Sequence, residues 1–163
     1  MRFTLIDKIL QLEAGKSITA IKNLSLAEEY LQDHFPGFPV MPGVLMVEGL
    51  VQAGAWLMRY TDDFAYSTIL LKQTRAVKFN NFVSPGKTLK IQVDLKSSDE
   101  TSCVLQGIGT VDGGTAVSAK LTLEKFNLAD RNPEMKRIDD LQREKLKELF
   151  NVLWDPHQTA APS

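Results

Sequence analysis

Pro42-Gly43-Val44-Leu45-Met46-Val47-Glu48-Gly49-Leu50-Val51-Gln52-Ala53-Gly54-Ala55-Trp56-Leu57-Met58-Arg59-Tyr60 is the stretch that decides the fold. It is apolar nearly all round and begins with proline, whose missing amide and fixed φ suit a helix start. The segment is too short to span a bilayer comfortably and carries Glu48 and Gln52, so it reads as a helix buried inside the protein. Gly49, Ala53 and Gly54 would let a sheet or a partner helix come close. Glycine lowers helix propensity, so its presence inside a helix implies a packing reason.

Upstream, Phe3-Thr4-Leu5-Ile6 and Ser17-Ile18-Thr19-Ala20-Ile21 are short β-type runs separated by Glu13-Ala14-Gly15-Lys16, which predicts a hairpin. Ser25 is placed to cap a short helical segment through Glu28, Glu29 and Tyr30. Phe35-Pro36-Gly37-Phe38-Pro39 then forbids regular structure, because both prolines lack amide donors and restrict their predecessors.

Downstream of Asp62-Asp63 the chain reads as successive strands: Ser67 to Leu71, Arg75 to Phe79, Thr88 to Leu95, Cys103 to Val111 and Thr115 to Phe126. Ser84-Pro85-Gly86, Ser97-Ser98-Asp99-Glu100 and Asp112-Gly113-Gly114 supply the turns. Connections this short join antiparallel neighbours, since parallel strands need long crossovers. The expected fold is α+β, an antiparallel sheet set against one long buried helix. Past Asp130-Arg131-Asn132-Pro133, the residues Ile138, Leu141, Leu149, Phe150, Leu153 and Trp154 recur at helical spacing among many charges. This predicts an amphipathic terminal helix docked on the same protein or on its dimer mate, with a frayed end over Thr159-Ala160-Ala161-Pro162-Ser163. The expected division is a domain over residues 1–128 and a helical extension over 129–163.

With 163 residues, the chain is sized for one sizeable core. Its 19 basic and 20 acidic residues leave a net charge of -1, so no overall field gathers it onto nucleic acid or an anionic membrane. The single cysteine, Cys103, excludes an intrachain disulfide and sits in an alternating run that reads as buried strand. Met1 to Asp7 passes too quickly from apolar to charged residues for a signal peptide, so a cytoplasmic protein is expected. His34 and His157 are the only histidines, and no ligand cluster or Gly-rich phosphate loop is present, so neither a metal nor another cofactor is implied.

One constellation carries chemistry: His34-Phe35-Pro36-Gly37-Phe38-Pro39-Val40-Met41-Pro42-Gly43-Val44-Leu45, with Glu48 on the helix and Gln52 one turn further. A carboxyl group inside an apolar helix needs a reason, because desolvation raises its pKa and leaving it unpaired is unfavourable. General acid catalysis is such a reason, and histidine is the commonest general base. The loop holds His34 relative to the helix. Gly43, at the helix start, offers an unpaired amide at the positive end of the helix dipole, where it could polarise a carbonyl oxygen. Taken singly, His34 reads as a surface or structural histidine and Glu48 as the partner of an unseen arginine. Together, base, acid and oxyanion donor suit an elimination next to a thioester carbonyl.

The segment His34 to Gln52 resembles the signature of the β-hydroxyacyl-acyl carrier protein dehydratases. In both, histidine, the Phe-Pro-Gly turn, Pro-Val-Met-Pro-Gly-Val-Leu, a glutamate and a glutamine follow in this order and spacing. Weaker similarity reaches Phe3 to Ile9 upstream and Val77-Lys78-Phe79, Val83 to Gly86 and Gly109 to Gly113 downstream, so that about the first 125 residues are covered. The resemblance implies the hotdog fold, an antiparallel sheet wrapped around the helix. It implies a homodimer with shared active sites, open to assembly as a trimer of dimers, and acyl carrier protein bearing a 3-hydroxyacyl chain as partner. His34 is then the base and Glu48 of the other subunit the acid. The Val40 carbonyl orients the imidazole, the Gly43 amide binds the thioester oxygen, and Gln52 holds the glutamate. Glutamate rather than aspartate at position 48 is similar to the general dehydratase branch. Asn80-Asn81 stands where related sequences often carry basic residues, and the tail from about Arg131 exceeds the ordinary family length.

Two other readings compete. An acyl-thioester hydrolase on the same fold would attack with water and release a free acid, and a non-catalytic acyl-binding protein would keep the tunnel alone. Fold cannot choose among them. The presence of both proton-transfer residues favours elimination.

Overall fold

The computed structural model describes residues 3–157. Six strands, β1 (Lys8–Glu13), β2 (Ser17–Asn23), β3 (Thr68–Phe79), β4 (Thr88–Ser98), β5 (Ser102–Val111) and β6 (Gly114–Phe126), form one antiparallel sheet in the order β1-β2-β4-β5-β6-β3. Helix α1 (Gly43–Thr61) packs on β2, β4, β5 and β6, and α2 (Lys136–Leu153) follows the sheet. This is the expected α+β hotdog arrangement.

The core is the layer between α1 and the sheet. Leu50, Leu57 and Met58 of the helix are fully buried, as are Ile91, Leu105 and Leu121 of the sheet. Each such side chain contributes about 1.5–3 kcal/mol on leaving water. The glycines read as close-approach positions are that: a Cβ on Gly54 would stand 2.7 Å from Leu105 Cδ1, and one on Gly49 would stand 3.1 Å from Ile91 Cδ1. Cys103 is buried in β5, and burial, partly offset by Lys125, pushes its thiol up to about 11. It is packed rather than poised to attack, as its strand setting predicts.

Three expectations need correction. The hairpin turn at Glu13 to Lys16 is where expected, but its first strand is Lys8–Glu13, not Phe3 to Ile6. Phe3 to Leu5 runs beside α1 instead, because Gln52 accepts from the Leu5 amide at 2.9 Å and donates to the Phe3 carbonyl at 2.8 Å. Ser67 to Leu71 and Arg75 to Phe79 are not two strands but one, β3, which stays paired with β6 across two register shifts. Ala76 sits there at φ 50°, so an irregularity within a strand looked like a break between strands.

The third correction concerns the terminal helix, which docks by only part of the predicted stripe. Phe150 and Leu153 are buried, with Leu146 and Trp154 partly so, whereas Ile138, Leu141 and Leu149 are exposed. Phe150 enters an aromatic nest of Trp56, Tyr60 and Phe64, with ring centroids at 5.9, 5.6 and 5.4 Å. The same face carries Asp139, only 1% exposed. Asp139 accepts from Ser67 Oγ, from the Leu128 amide at 2.9 Å and from the Ala129 amide at 2.8 Å. Because a polar anchor sets one end, the docked line runs Asp139, Leu146, Phe150, Leu153. The outward apolar line, Ile138 and Leu141, lies roughly a third of a turn away, with Leu149 on the border between the two faces. The frayed end expected over Thr159 to Ser163 lies outside the described residues.

Candidate active site

The loop from His34 to Met41 is held by backbone geometry rather than by regular structure. Phe35-Pro36-Gly37-Phe38 closes a turn in which the Phe38 amide donates to the Phe35 carbonyl at 2.8 Å and Gly37 takes φ 85°. Proline followed by a positive-φ glycine is the chemistry of a type II turn. Phe35 itself takes φ 55°, a left-handed conformation unfavourable for a bulky residue. At the far end the Met41 amide donates to the Val83 carbonyl at 2.8 Å, and Phe38 meets Phe82 edge to face at 5.7 Å. The loop is thereby tied to the segment following β3.

His34 is half-buried, its ring 4.3 Å from that of Phe35. It lines an apolar cavity of about 370 Å³ with Val40, Gly43, Phe79 and Phe82. A Cβ on Gly43 would lie 2.8 Å from Phe79 Cε1, so the ring seals the start of α1 only because that residue has no side chain. Pro42 flanks the helix start, and its carbonyl accepts from the Leu45 and Met46 amides at 2.9 and 3.2 Å. The Gly43 amide is one of the donors that a helix leaves without an intrahelical partner. Imidazole, unpaired helix amide and apolar wall thus meet in one cavity. Val40 is buried on its wall, and among the described residues no hydrogen bond joins its carbonyl to the imidazole.

Glu48 is elsewhere. It lines a second cavity of about 320 Å³ with Gln52, Trp56, Arg59 and, from α2, Leu149 and Leu153. Gln52 Nε2 donates to Glu48 Oε1 at 3.1 Å while its two other bonds reach Leu5 and Phe3. The carboxylate is therefore oriented by a side chain that is itself fixed to backbone. Among the described residues Glu48 has no arginine ion pair, so the buried-pair reading of this glutamate has no partner. Within one chain, His34 and Gly43 come together, Glu48 and Gln52 come together, and the two pairs do not share a cavity.

Sequence reasoning did not single out Phe79 and Phe82, which close the His34 cavity from the far end of β3, or Arg59 in the Glu48 cavity. Nothing local to Phe79 or Phe82 announces that role. Arg59 could have been found, because it is a cation on the face of α1 that also carries Glu48 and Gln52. Asp139 could also have been noticed, as an acid in the first turn of the terminal helix.

A hotdog protein with a histidine loop abutting the start of its central helix, and a glutamine-held glutamate further along that helix, is the class that fold and site define. A FabA-like domain model matches residues 1–120, and the chain belongs to that family. Similar curated proteins include the 3-hydroxyacyl-[acyl-carrier-protein] dehydratase FabZ of Oenococcus oeni, 44% identical over 117 residues that cover 72% of this chain and 84% of the relative. The FabZ of Bordetella pertussis is 41% identical over 124 residues, covering 72% and 82%. Among solved structures, the dehydratase heterocomplex ApeI:P from Xenorhabdus doucetiae aligns with TM-score 0.66 at 19% identity, covering 82% of this chain and 90% of that one. A hypothetical thioesterase with coenzyme A from Streptococcus pneumoniae aligns with TM-score 0.55 at 12% identity, covering 72% and 84%. At such identities these two likenesses establish the fold alone.

Proposed function

We propose that this chain is a 3-hydroxyacyl-acyl carrier protein dehydratase that forms trans-2-enoyl thioesters in fatty acid or related lipid synthesis. The observation that carries the reading is the His34 ring and the free Gly43 amide sharing one apolar cavity. The thioester carbonyl oxygen accepts from Gly43, so charge developing on it is stabilised by the amide and the helix dipole. The His34 imidazole removes a proton from the carbon beside that carbonyl. The electron pair of that C–H bond becomes the new C=C bond as the C–O bond one carbon further breaks. Glu48 gives its proton to the departing hydroxyl, which leaves as water. Gln52 keeps the Glu48 carboxyl aimed, and the Val40 carbonyl, on the wall of the His34 cavity but not bonded to the ring among the described residues, would orient the imidazole only once the ring turns toward it.

Glu48 reaches the reaction from a second copy of the chain. Two features support a dimer with shared sites. His34 and Glu48 line different cavities within one chain. The edge strand β3 leaves Leu70, Leu71, Val77 and Phe79 exposed, and a long apolar edge of this kind invites pairing. Val44, 74% exposed in the first turn of an otherwise apolar helix, adds to that surface.

The test is product analysis with 3-hydroxyacyl chains on acyl carrier protein and on coenzyme A. An enoyl thioester is expected, with turnover falling on the order of 10²-fold or more in His34→Ala and Glu48→Gln. A free acid as product, or near-wild-type turnover in either variant, overturns the reading.

A further inference from the structure

The Glu48 cavity holds a group that the elimination does not use. Arg59 follows Glu48 on the same face of α1 after roughly three helical turns, about 16 Å along the axis. Both residues line the one cavity, with Trp56 on the wall between them and Leu149 and Leu153 of α2 opposite. The Arg59 guanidinium stands 5.0 Å from the Trp56 ring centroid. Its Nε is shielded from solvent and has no hydrogen-bond partner among the described residues. Burial pushes the group down to about 10, and among the described residues no carboxylate forms an ion pair with it. The cavity thus runs from a carboxyl group, past apolar walls, to a cation with no ion pair among the described residues.

A half-buried guanidinium with no ion pair among the described residues favours a ligand that brings an anion to it. A plain alkyl chain reaching Arg59 would set a methyl group against an unpaired guanidinium. A chain ending in a carboxylate would instead receive a charge-assisted, two-pronged contact. The wall facing α1 comes from Leu149 and Leu153 of α2, beyond the residues matched by the FabA-like model.

We propose that this cavity is an acyl-chain subsite, completed by α2 and ending at Arg59, that selects chains carrying a carboxylate at the end remote from the thioester. The proposal rests on the dehydratase reading of Glu48 but is separable from it. The probes are paired 3-hydroxyacyl pantetheine thioesters of equal length, one ending in methyl and one in carboxylate. Their binding to the full chain is measured by calorimetry and their conversion to enoyl product is measured separately.

The carboxylate probe should bind roughly tenfold or more tighter than its methyl partner. Arg59→Met should erase that difference, and Arg59→Lys should retain part of it, with melting curves confirming that both variants fold. Leu149→Trp, which thickens the α2 wall, should weaken both long probes and spare a 3-hydroxybutyryl probe. Equal binding of the paired probes by the wild-type chain overturns the proposal, as does a preference that survives in Arg59→Met. If both probes are dehydrated without preference, the subsite falls and the dehydratase stands. If binding discriminates through Arg59 while no enoyl product forms on any carrier, the dehydratase reading falls and the subsite stands.

Discussion

Gln52 donates to Glu48 Oε1 at 3.1 Å with the same Nε2 that donates to the Phe3 carbonyl at 2.8 Å. The Glu48 carboxyl is therefore fixed through its neighbour to the backbone ahead of β1. Replacing Gln52 by methionine keeps much of its volume and removes the link. Turnover should fall about tenfold or more while KM changes little, because a misaimed acid affects the transition state more than binding. Separate measurement of kcat and KM decides this, and an unchanged kcat would show that Glu48 is aimed by something else.

The separation of His34 and Glu48 into two cavities makes a subunit-mixing experiment informative. Refolding His34→Ala together with Glu48→Gln should restore activity, because one of the two sites in the mixed dimer regains an intact pair. Demonstrated subunit exchange with no returning activity would mean that both residues act from one chain or have other roles.

The docking of α2 through Phe150 predicts where its stability resides. Phe150→Ala should destabilise by about 3–5 kcal/mol, lowering Tm by roughly 6–20 °C. Leu141→Ser, on the outward line, should stay within about 0.5 kcal/mol of wild type. Removing the chain after Leu128 should lower Tm at least as far as Phe150→Ala. Thermal melts of the three proteins test the helix orientation, and a Leu141→Ser loss equal to that of Phe150→Ala contradicts it.

Asp139 predicts a pH dependence of that docking. Burial pushes its carboxyl up, but the hydrogen bonds from Ser67, Ala129 and Leu128, with Arg143 nearby, outweigh it and hold the group below the usual carboxylate range. A depressed folded-state pKa gives stability that is present above the unfolded value, about 3.9. That stability is lost as pH falls through the folded value. Asp139→Asn should therefore melt below wild type near pH 7, with the gap narrowing as pH drops beneath about 4. A gap that stays constant between pH 7 and pH 3 would show that the carboxylate charge contributes nothing to holding α2.

Much of this protein is legible along the chain because local chemistry wrote it there. The proline start and unbroken apolar run predict α1, and Asp112-Gly113-Gly114 and Ser84-Pro85-Gly86 mark turns that the strands then obey. The motif from His34 to Gln52 names the candidate residues without any coordinates, since it joins a titratable ring, a helix start and a carboxyl group in one short segment. The failures have physical causes too. Phe3 to Ile6 has the composition of a strand but lies on α1, because a glutamine far along the chain claims its backbone groups. β3 looks broken because a bulge and a broken chain read alike in one dimension.

The sequence by itself determined most element types, the layering of helix on antiparallel sheet, and which histidine and glutamate are the candidates, since each depends on residues close together in the chain. Only the tertiary structure decided that His34 and Glu48 face different cavities, that Asp139 and Phe150 choose the docked face of α2, and that Arg59 shares a cavity with Glu48 and Leu149. Those facts depend on which groups from distant segments can bury or hydrogen-bond one another, and periodicity carries no information about the partner.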